Sequence, residues 1–288
     1  MAGTLYLVST PIGNLGDLTA RAAEVLRDAD AVLCEDTRHS RRLLDHVGSR
    51  APALAYHEHN EARATPGLVA RLAAGEQLAL VSDAGTPLLS DPGARLVRAA
   101  VDAGVAVVPL PGASALLAAL VASGLDATRF TFYGFLARKG RERKGAVAEL
   151  AALAHTAVLY EAPARVGETL AELAAACGGD RPAAVARELT KQYEEIRRGT
   201  LGELAAYYAD APVRGEVVLV VGGRAPGGEA ADPEAVRARA RALHADGGSS
   251  RDVARALADE FGLSRNDAYR AAAEGRGDTT ATGSDDEG

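Results

Sequence analysis

The sequence predicts an α/β fold: a largely parallel sheet with helices on both faces, followed by a second α/β half and a small helical appendage. Two observations carry that reading. Short apolar runs alternate with stretches of helical spacing through the first half, as strand–helix–strand units do. Three of those runs end in Gly/Pro-rich loops: Thr10-Pro11-Ile12-Gly13-Asn14-Leu15-Gly16-Asp17, Ser82-Asp83-Ala84-Gly85-Thr86-Pro87 with Asp91-Pro92-Gly93 close behind, and Pro111-Gly112-Ala113-Ser114-Ala115. Ligands of open α/β sheets bind beyond the C-terminal ends of the strands, so three such loops in phase predict one pocket built from backbone.

Element by element, residues 5–9 form a strand and 18–28 a helix with Asp17 as its N-cap. Residues 31–34 are a second strand, and 40–46 a short helix ended by Gly48. A third short strand covers 53–56. Pro66 at the first helical position opens a helix to Ala74 that Gly75 closes. Strand 78–81, helix 93–103, strand 105–110 and helix 114–123 complete the first half. After a break near 135–145 the pattern restarts with helix 144–153, strand 156–160, helix 165–176 and strand 183–188. Residues 194–199 belong to a strand pair, 201–209 to a helix and 217–221 to a last strand, in a sheet of mixed direction. Residues 225–232 read as a Pro/Gly linker. Three short helices follow at 233–244, 250–261 and 264–274. The Phe261-Gly262-Leu263-Ser264 joint suits a helix-turn-helix or a plain helical cap. The expected domains are 1–115, 116–224 and 233–275, with a disordered acidic tail over 276–288.

Composition narrows the class. At 288 residues and 48% hydrophobic the chain can bury a substantial core, and 25% charged residues suit a soluble protein. No window approaches the ~20 apolar residues a membrane helix needs. The N-terminus lacks the basic flank of a signal peptide, so cytoplasm is the expected compartment. Cys34 and Cys177 read as buried free thiols. Net charge is −7, but basic residues crowd into 38–50 and 138–144, and a locally basic face still holds phosphates.

The motifs point to chemistry. No P-loop lysine and no G-x-G-x-x-G spacing follow the first strand, which disfavours ATP and NAD. A glycine- and proline-rich pocket with few charges suits an adenosine gripped by backbone. Glu35-Asp36-Thr37-Arg38 stands at a strand end, where two carboxylates beside an arginine suit acid–base work; an exposed helix start would look the same. Arg187-Glu188-Leu189-Thr190-Lys191 is a charged run at another strand end. Phe130 and Phe132 read as strand core. The basic loop behind them, Arg138-Lys139-Gly140-Arg141-Glu142-Arg143-Lys144, suits unpaired RNA. Tyr56-His57-Glu58-His59-Asn60 reads as a substrate-lining loop, and no metal site is expected.

Taken together, the three loops, Cys34-Glu35-Asp36-Thr37-Arg38, Gly134-Phe135-Leu136, Tyr160-Glu161-Ala162-Pro163 and Arg187-Glu188-Leu189-Thr190-Lys191 closely resemble the ribosomal RNA small subunit methyltransferase I family of tetrapyrrole-methylase-like S-adenosylmethionine enzymes. The resemblance runs in order and spacing from Leu5 to about Gly222, and departs at Ala137, where the family has proline. It implies two α/β domains with S-adenosylmethionine in the cleft between them, and 2′-O-methylation of a decoding-centre cytidine in 16S rRNA by a homodimer. It implies cofactor contacts from Pro11, Thr86, Leu89, Ser114, Ala115, Ala162, Gly215 and Glu216. On position, Lys191 would stabilise a developing alkoxide and Asp36 or Glu188 would take or orient the proton. Arg38 would hold a phosphate, with Arg138, Lys139, Arg141, Arg143 and Lys144 on RNA. The alternatives are a precorrin-type methyltransferase of the same fold and a non-catalytic RNA-binding assembly protein.

Overall fold

A computed structural model of the chain describes residues 2–210, 213–225, 233–261, 263 and 265–277. The chain separates into two compact units: residues 1–150 with 156–222, and residues 151–155 with 223–288. The first unit holds both sheets.

The first sheet contains β1 (Thr4–Val8), β2 (Ala31–Cys34), β3 (Ala53–Ala55), β4 (Gln77–Val81) and β5 (Ala106–Leu110), in the order β3-β2-β4-β1-β5. Every pairing is parallel. Such a sheet needs cover on both faces, and strand alternation supplies two apolar sets. Val8, Val32, Cys34, Ala79 and Val81 pack against α1 (Ala20–Asp28) and α2 (Thr37–Val47) through Leu26, Leu43 and Leu44. Leu5, Ala31, Leu33, Leu78 and Leu80 face Leu68, Leu72, Leu96 and Ala100 of α3 (Glu61–Ala73) and α4 (Ala94–Asp102).

The second sheet has β6 (Phe130–Phe135), β7 (Thr156–Glu161), β8 (Pro182–Arg187), β9 (Glu195–Thr200) and β10 (Val217–Val221), in the order β6-β7-β10-β8-β9. Only β6–β7 is parallel; the other pairs are antiparallel, giving the mixed sheet expected. Helix α5 (Ala115–Ser123) covers one face, with Leu116, Ala119 and Leu120 on Val158, Ala184, Ala186, Val218 and Val220. Alternation sends Leu159, Val185 and Leu219 to the other face, where they are fully buried. Helices α6 (Arg141–Ala152), α7 (Val166–Cys177) and α8 (Leu201–Tyr208) complete the half, with α7 and α8 packed on each other. The second unit packs α9 (Pro233–Ala245), α10 (Ser250–Phe261) and α11 (Arg265–Gly277) around Val236, Ala240, Val253, Leu257, Ala268 and Ala272. We keep the boundaries 1–115, 116–224 and 233–275 as a proposal. The linker from 226, Gly262 and Ser264 of the joint, and the tail from 278 lie outside the described residues.

Several element starts differ from expectation, each for a local reason. Thr19, not Asp17, caps α1: its hydroxyl accepts from the Ala22 N–H at 3.2 Å, and Asp17 sits in a preceding 3₁₀ turn. Helix α2 begins at Thr37 because Asp36 accepts from the Arg38 N–H at 2.8 Å. Helix α3 begins at Glu61, so Pro66 is inside it; the Asn60 side chain closes the preceding turn on the His57 N–H, and the Thr65 hydroxyl donates to the Glu61 carbonyl. Helix α6 begins at Arg141, which makes half of the basic loop helical. Phe132 packs in the core as expected, whereas Phe130 is 37% exposed. Cys34 is a buried free thiol and Cys177 a half-buried one.

Gly167 shows how closely α7 and α8 approach. A methyl group there would stand 2.5 Å from the Tyr208 carbonyl oxygen. Alanine ordinarily stabilises a helix relative to glycine by roughly 1 kcal/mol. Here the clash is with backbone, so Gly167→Ala is expected to destabilise by about 1–3 kcal/mol, as overpacking does. A lower urea midpoint checks it; a higher one would show that the helices separate freely.

Candidate active site

The three loops predicted to form one pocket are joined by hydrogen bonds. Thr10 and Gly85 exchange backbone bonds at 2.8 and 3.1 Å, an isolated bridge that ties the first loop to the second. The Ser82 hydroxyl donates to the Gly85 carbonyl at 2.9 Å. The Ser9 hydroxyl donates to Thr86 Oγ1 at 3.3 Å, and Thr86 Oγ1 donates to the Ala113 carbonyl, bringing in the third loop. Gly112 must be glycine for the closure, since a Cβ there would lie 2.9 Å from that of Ser9.

Two adjoining cavities open at these loops. The larger, of about 410 Å³, is walled by Thr86, Leu89 and Asp91 on one side and by Tyr160, Ala162 and Gly215 on the other. The second, of about 380 Å³, is lined by Pro11, Arg38, His39, Arg42 and Lys191. Ile12, Asp83, Ala84 and Glu216 line both. Of the expected cofactor residues, Thr86, Leu89, Ala115, Ala162, Gly215 and Glu216 line the larger cavity. Pro11 lines the adjoining one. Ser114 lines neither; its hydroxyl caps α5 by accepting from the Leu117 N–H.

Backbone strain is concentrated here. Among the described residues the non-glycine positions with positive φ are Leu88 (73°), Ser90 (69°), Glu188 (51°) and Thr190 (66°). They fall in two loops, one carrying Leu89 and Asp91, the other leading to Lys191. Strain of this kind persists where surrounding structure holds side chains in a required position.

Lys191 reaches Glu188 at 2.8 Å and Glu216 at 3.2 Å. Burial works to lower its pKa, but bonds and charge from Glu188 and Glu216 outweigh that and raise it. The Lys191 hydrogen bond in turn holds Glu188 below the usual carboxylate range, against burial. Glu188 also accepts from the Glu216 N–H. Asp36 is a half-buried cap whose pKa is lowered by the Arg38 N–H and side chain, so it is poorly placed to take a proton.

The basic segment divides. Arg138, Lys139, Arg141 and Lys144 are exposed. Arg143 is buried: it donates to Glu172 at 2.7 Å, to the Ala137 carbonyl at 3.2 Å and to Thr169 Oγ1 at 3.0 Å. Its expected place on RNA is therefore corrected, since an inward guanidinium with its donors committed cannot reach a phosphate. Tyr56 to Asn60, expected to line substrate, lines neither cavity; Tyr56 is fully buried with its hydroxyl on Thr65. Arg42 and His39, outside the expected site residues, line the second cavity from α2, Arg42 one turn beyond Arg38 and His39 directly after it.

Two α/β halves around a cleft of strand-end loops define a class, and the comparisons agree with it. The family described as Tetrapyrrole (Corrin/Porphyrin) Methylases matches residues 4–205. Solved structures share the fold: cobalt precorrin-4 methyltransferase, a cobalamin biosynthetic enzyme, at TM-score 0.59 and 21% identity, covering 76% of this chain and 94% of that one. Uroporphyrin-III C-methyltransferase from Thermus thermophilus, complexed with S-adenosyl homocysteine, aligns at TM-score 0.56 and 22% identity over 76% and 97%. Sequence relatives are nearer. Ribosomal RNA small subunit methyltransferase I of Synechocystis is 46% identical over 94% of this chain and 98% of its own length. The protein of that name from Mesorhizobium japonicum is 54% identical over 76% and 74%. This chain belongs to the ribosomal RNA small subunit methyltransferase I family, within the tetrapyrrole methylases.

Proposed function

We propose that this protein transfers a methyl group from S-adenosylmethionine to the ribose 2′-hydroxyl of a decoding-centre cytidine in 16S rRNA, acting in the cytoplasm on the 30S subunit. The observation that carries it is the pair of adjoining cavities, one acidic and rich in small residues, the other basic. The larger fits the cofactor in size and chemistry: Ala84, Ala115, Ala162 and Gly215 bare the backbone, and Asp83, Asp91 and Glu216 complement a sulfonium. When bound, S-adenosylmethionine supplies an electrophilic methyl group. Arg38, Arg42 and Lys191 suit an RNA phosphate and ribose in the second cavity. Exposed Arg138, Lys139, Arg141 and Lys144 add a basic surface that tracks the backbone of unpaired RNA.

Purified protein with labelled cofactor is expected to label one cytidine ribose in 30S subunits from cells lacking it. Label on uroporphyrinogen instead would select the porphyrinoid alternative, and no cofactor binding would select the non-catalytic one. A homodimer is supported by Leu117 and Val121, one turn apart on α5 and 51% and 73% exposed. Its sedimenting mass decides the point.

A further inference from the structure

We propose that the Phe135 ring is the stacking face for the adenine of S-adenosylmethionine, a role that rests on the larger cavity being the cofactor's, as read above.

Strict alternation along β6 would send Phe135 to the opposite face from Phe132. A bulge prevents this. The register with β7 runs Phe132–Val158 and then Phe135–Tyr160, so β6 spends one residue more than β7 between the two pairs. Gly134 supplies the turn at φ 62°, and a Cβ on it would lie 2.9 Å from the Ser90 hydroxyl. Bulges next to active sites re-aim side chains. This one swings Phe135 onto the face that carries Phe132 and Tyr160. Its ring stands 5.5 Å from that of Tyr160 at 58°, and Phe132 meets the same Tyr160 ring at 5.0 Å and 71°.

The ring is fixed without being buried. Leu136 is buried directly after it; Arg165 donates to the Leu136 carbonyl at 3.4 Å and Arg143 to the Ala137 carbonyl at 3.2 Å. Phe135 itself is 56% exposed and lines the larger cavity. A ring serving only the core would be covered. Here a bulge, a left-handed glycine and two arginines hold an apolar face open toward a cavity, where a flat ligand gains by covering it.

Adenine is the flat, aromatic part of the cofactor. Asp83, Asp91 and Glu216 suit the sulfonium, and the two aromatic rings of the lining, Phe135 and Tyr160, suit the base. Leu89 stands on the other wall, so a purine would lie between an aliphatic side chain and an aromatic one. Phe135 does not line the cavity that carries Arg38, Arg42 and Lys191, which places its ring on the cofactor's base rather than on a base of the RNA. Exposed backbone then reads the edge of the adenine while Phe135 covers its face.

Equilibrium dialysis of the full-length protein tests this, with S-adenosylhomocysteine as one probe. The second is 5′-methylthioadenosine, which keeps the base and drops the amino acid. Phe135→Leu keeps an apolar side chain but removes the ring, and is expected to weaken both probes by about 10-fold or more. Phe135→Trp, which keeps a π-face, is expected to stay within about threefold of wild type. Urea midpoints of the two variants are expected to match wild type, since the ring is more than half exposed, and dialysis is run below the onset of any unfolding. Ala162→Trp, which fills the same cavity, is expected to abolish binding of both probes. Weakening of S-adenosylhomocysteine alone would place the ring on the amino-acid half and overturn the proposal. Unchanged affinity for both probes in Phe135→Leu, with weaker binding of 30S subunits, would assign the ring to an RNA base and overturn it as well. Binding that survives Ala162→Trp overturns the placement of the cofactor and the proposal with it.

Discussion

Replacing Lys191 with methionine is expected to slow single-turnover methyl transfer by about 100- to 1,000-fold, while S-adenosylmethionine binds within about threefold of its wild-type affinity. The expectation comes from where the ammonium is held. Glu188 and Glu216 use two of its three donors, at 2.8 and 3.2 Å, and its stem lies against Gly13, where a Cβ would approach Lys191 Cγ to 2.4 Å. Among the described residues the remaining donor has no partner, and Lys191 lines the second cavity. Its raised pKa keeps it charged throughout the working range. A fixed cation beside a developing alkoxide costs no reorganisation during the reaction. Methionine keeps the stem's volume and removes only the charge, so the rate isolates the electrostatic contribution. The substitution also frees Glu188, whose lowered pKa depends first on Lys191. A carboxylate lowered in the folded state contributes stability above its unfolded pKa that is lost as pH falls through the folded one. Acid destabilisation of the variant is therefore expected to be shallower than that of wild type. An unchanged transfer rate would remove Lys191 from the chemistry.

Part of the fold was legible because two of its strands are fully buried runs. β2 and β10 are apolar from end to end, and their bounds match expectation; a strand buried on both faces reads as a continuous apolar run. Helix starts were less legible because a cap competes with its neighbours. Asp17 and Thr19 are both good caps, and the chain selects the one whose oxygen meets the Ala22 N–H. At the site, Gly and Pro made the three loops visible, and Thr10–Gly85 and Thr86–Ala113 bind them to one another beside the cavities. What sequence could not show is which charges turn inward. Arg143 looks like its basic neighbours until Glu172, 29 residues away, is placed beside it. Asp91 looks like a turn residue until Glu35 and Asp83 face it.

Arg143→Ala is expected to destabilise the protein by about 3 kcal/mol, because it leaves a cavity and takes a donor from the buried Thr169 hydroxyl and the Ala137 carbonyl. Arg143 is 7% exposed, and its guanidinium is the hub of a chain of bonds. It holds Glu172 and Thr169 on α7 and the Ala137 carbonyl behind β6. The Thr169 hydroxyl donates onward to Glu161 at 2.6 Å, and Arg165 closes on Glu161 while bonding the Leu136 carbonyl. Two arginines thus clamp the Leu136-Ala137 backbone from which exposed Arg138 and Lys139 project. At roughly 2–4 °C per kcal/mol for a chain of this size, the melting temperature should fall by about 6–12 °C. Arg143→Lys keeps the charge but not the fork that serves three acceptors, so it should recover less than half of the loss. Had Arg143 been a phosphate ligand, alanine would leave the melting temperature within about 2 °C and weaken RNA binding in a salt-dependent way. Melting curves of the two variants beside their affinities for 30S subunits separate these cases. A large thermal loss with partial rescue by lysine makes the basic loop a surface held in place from within.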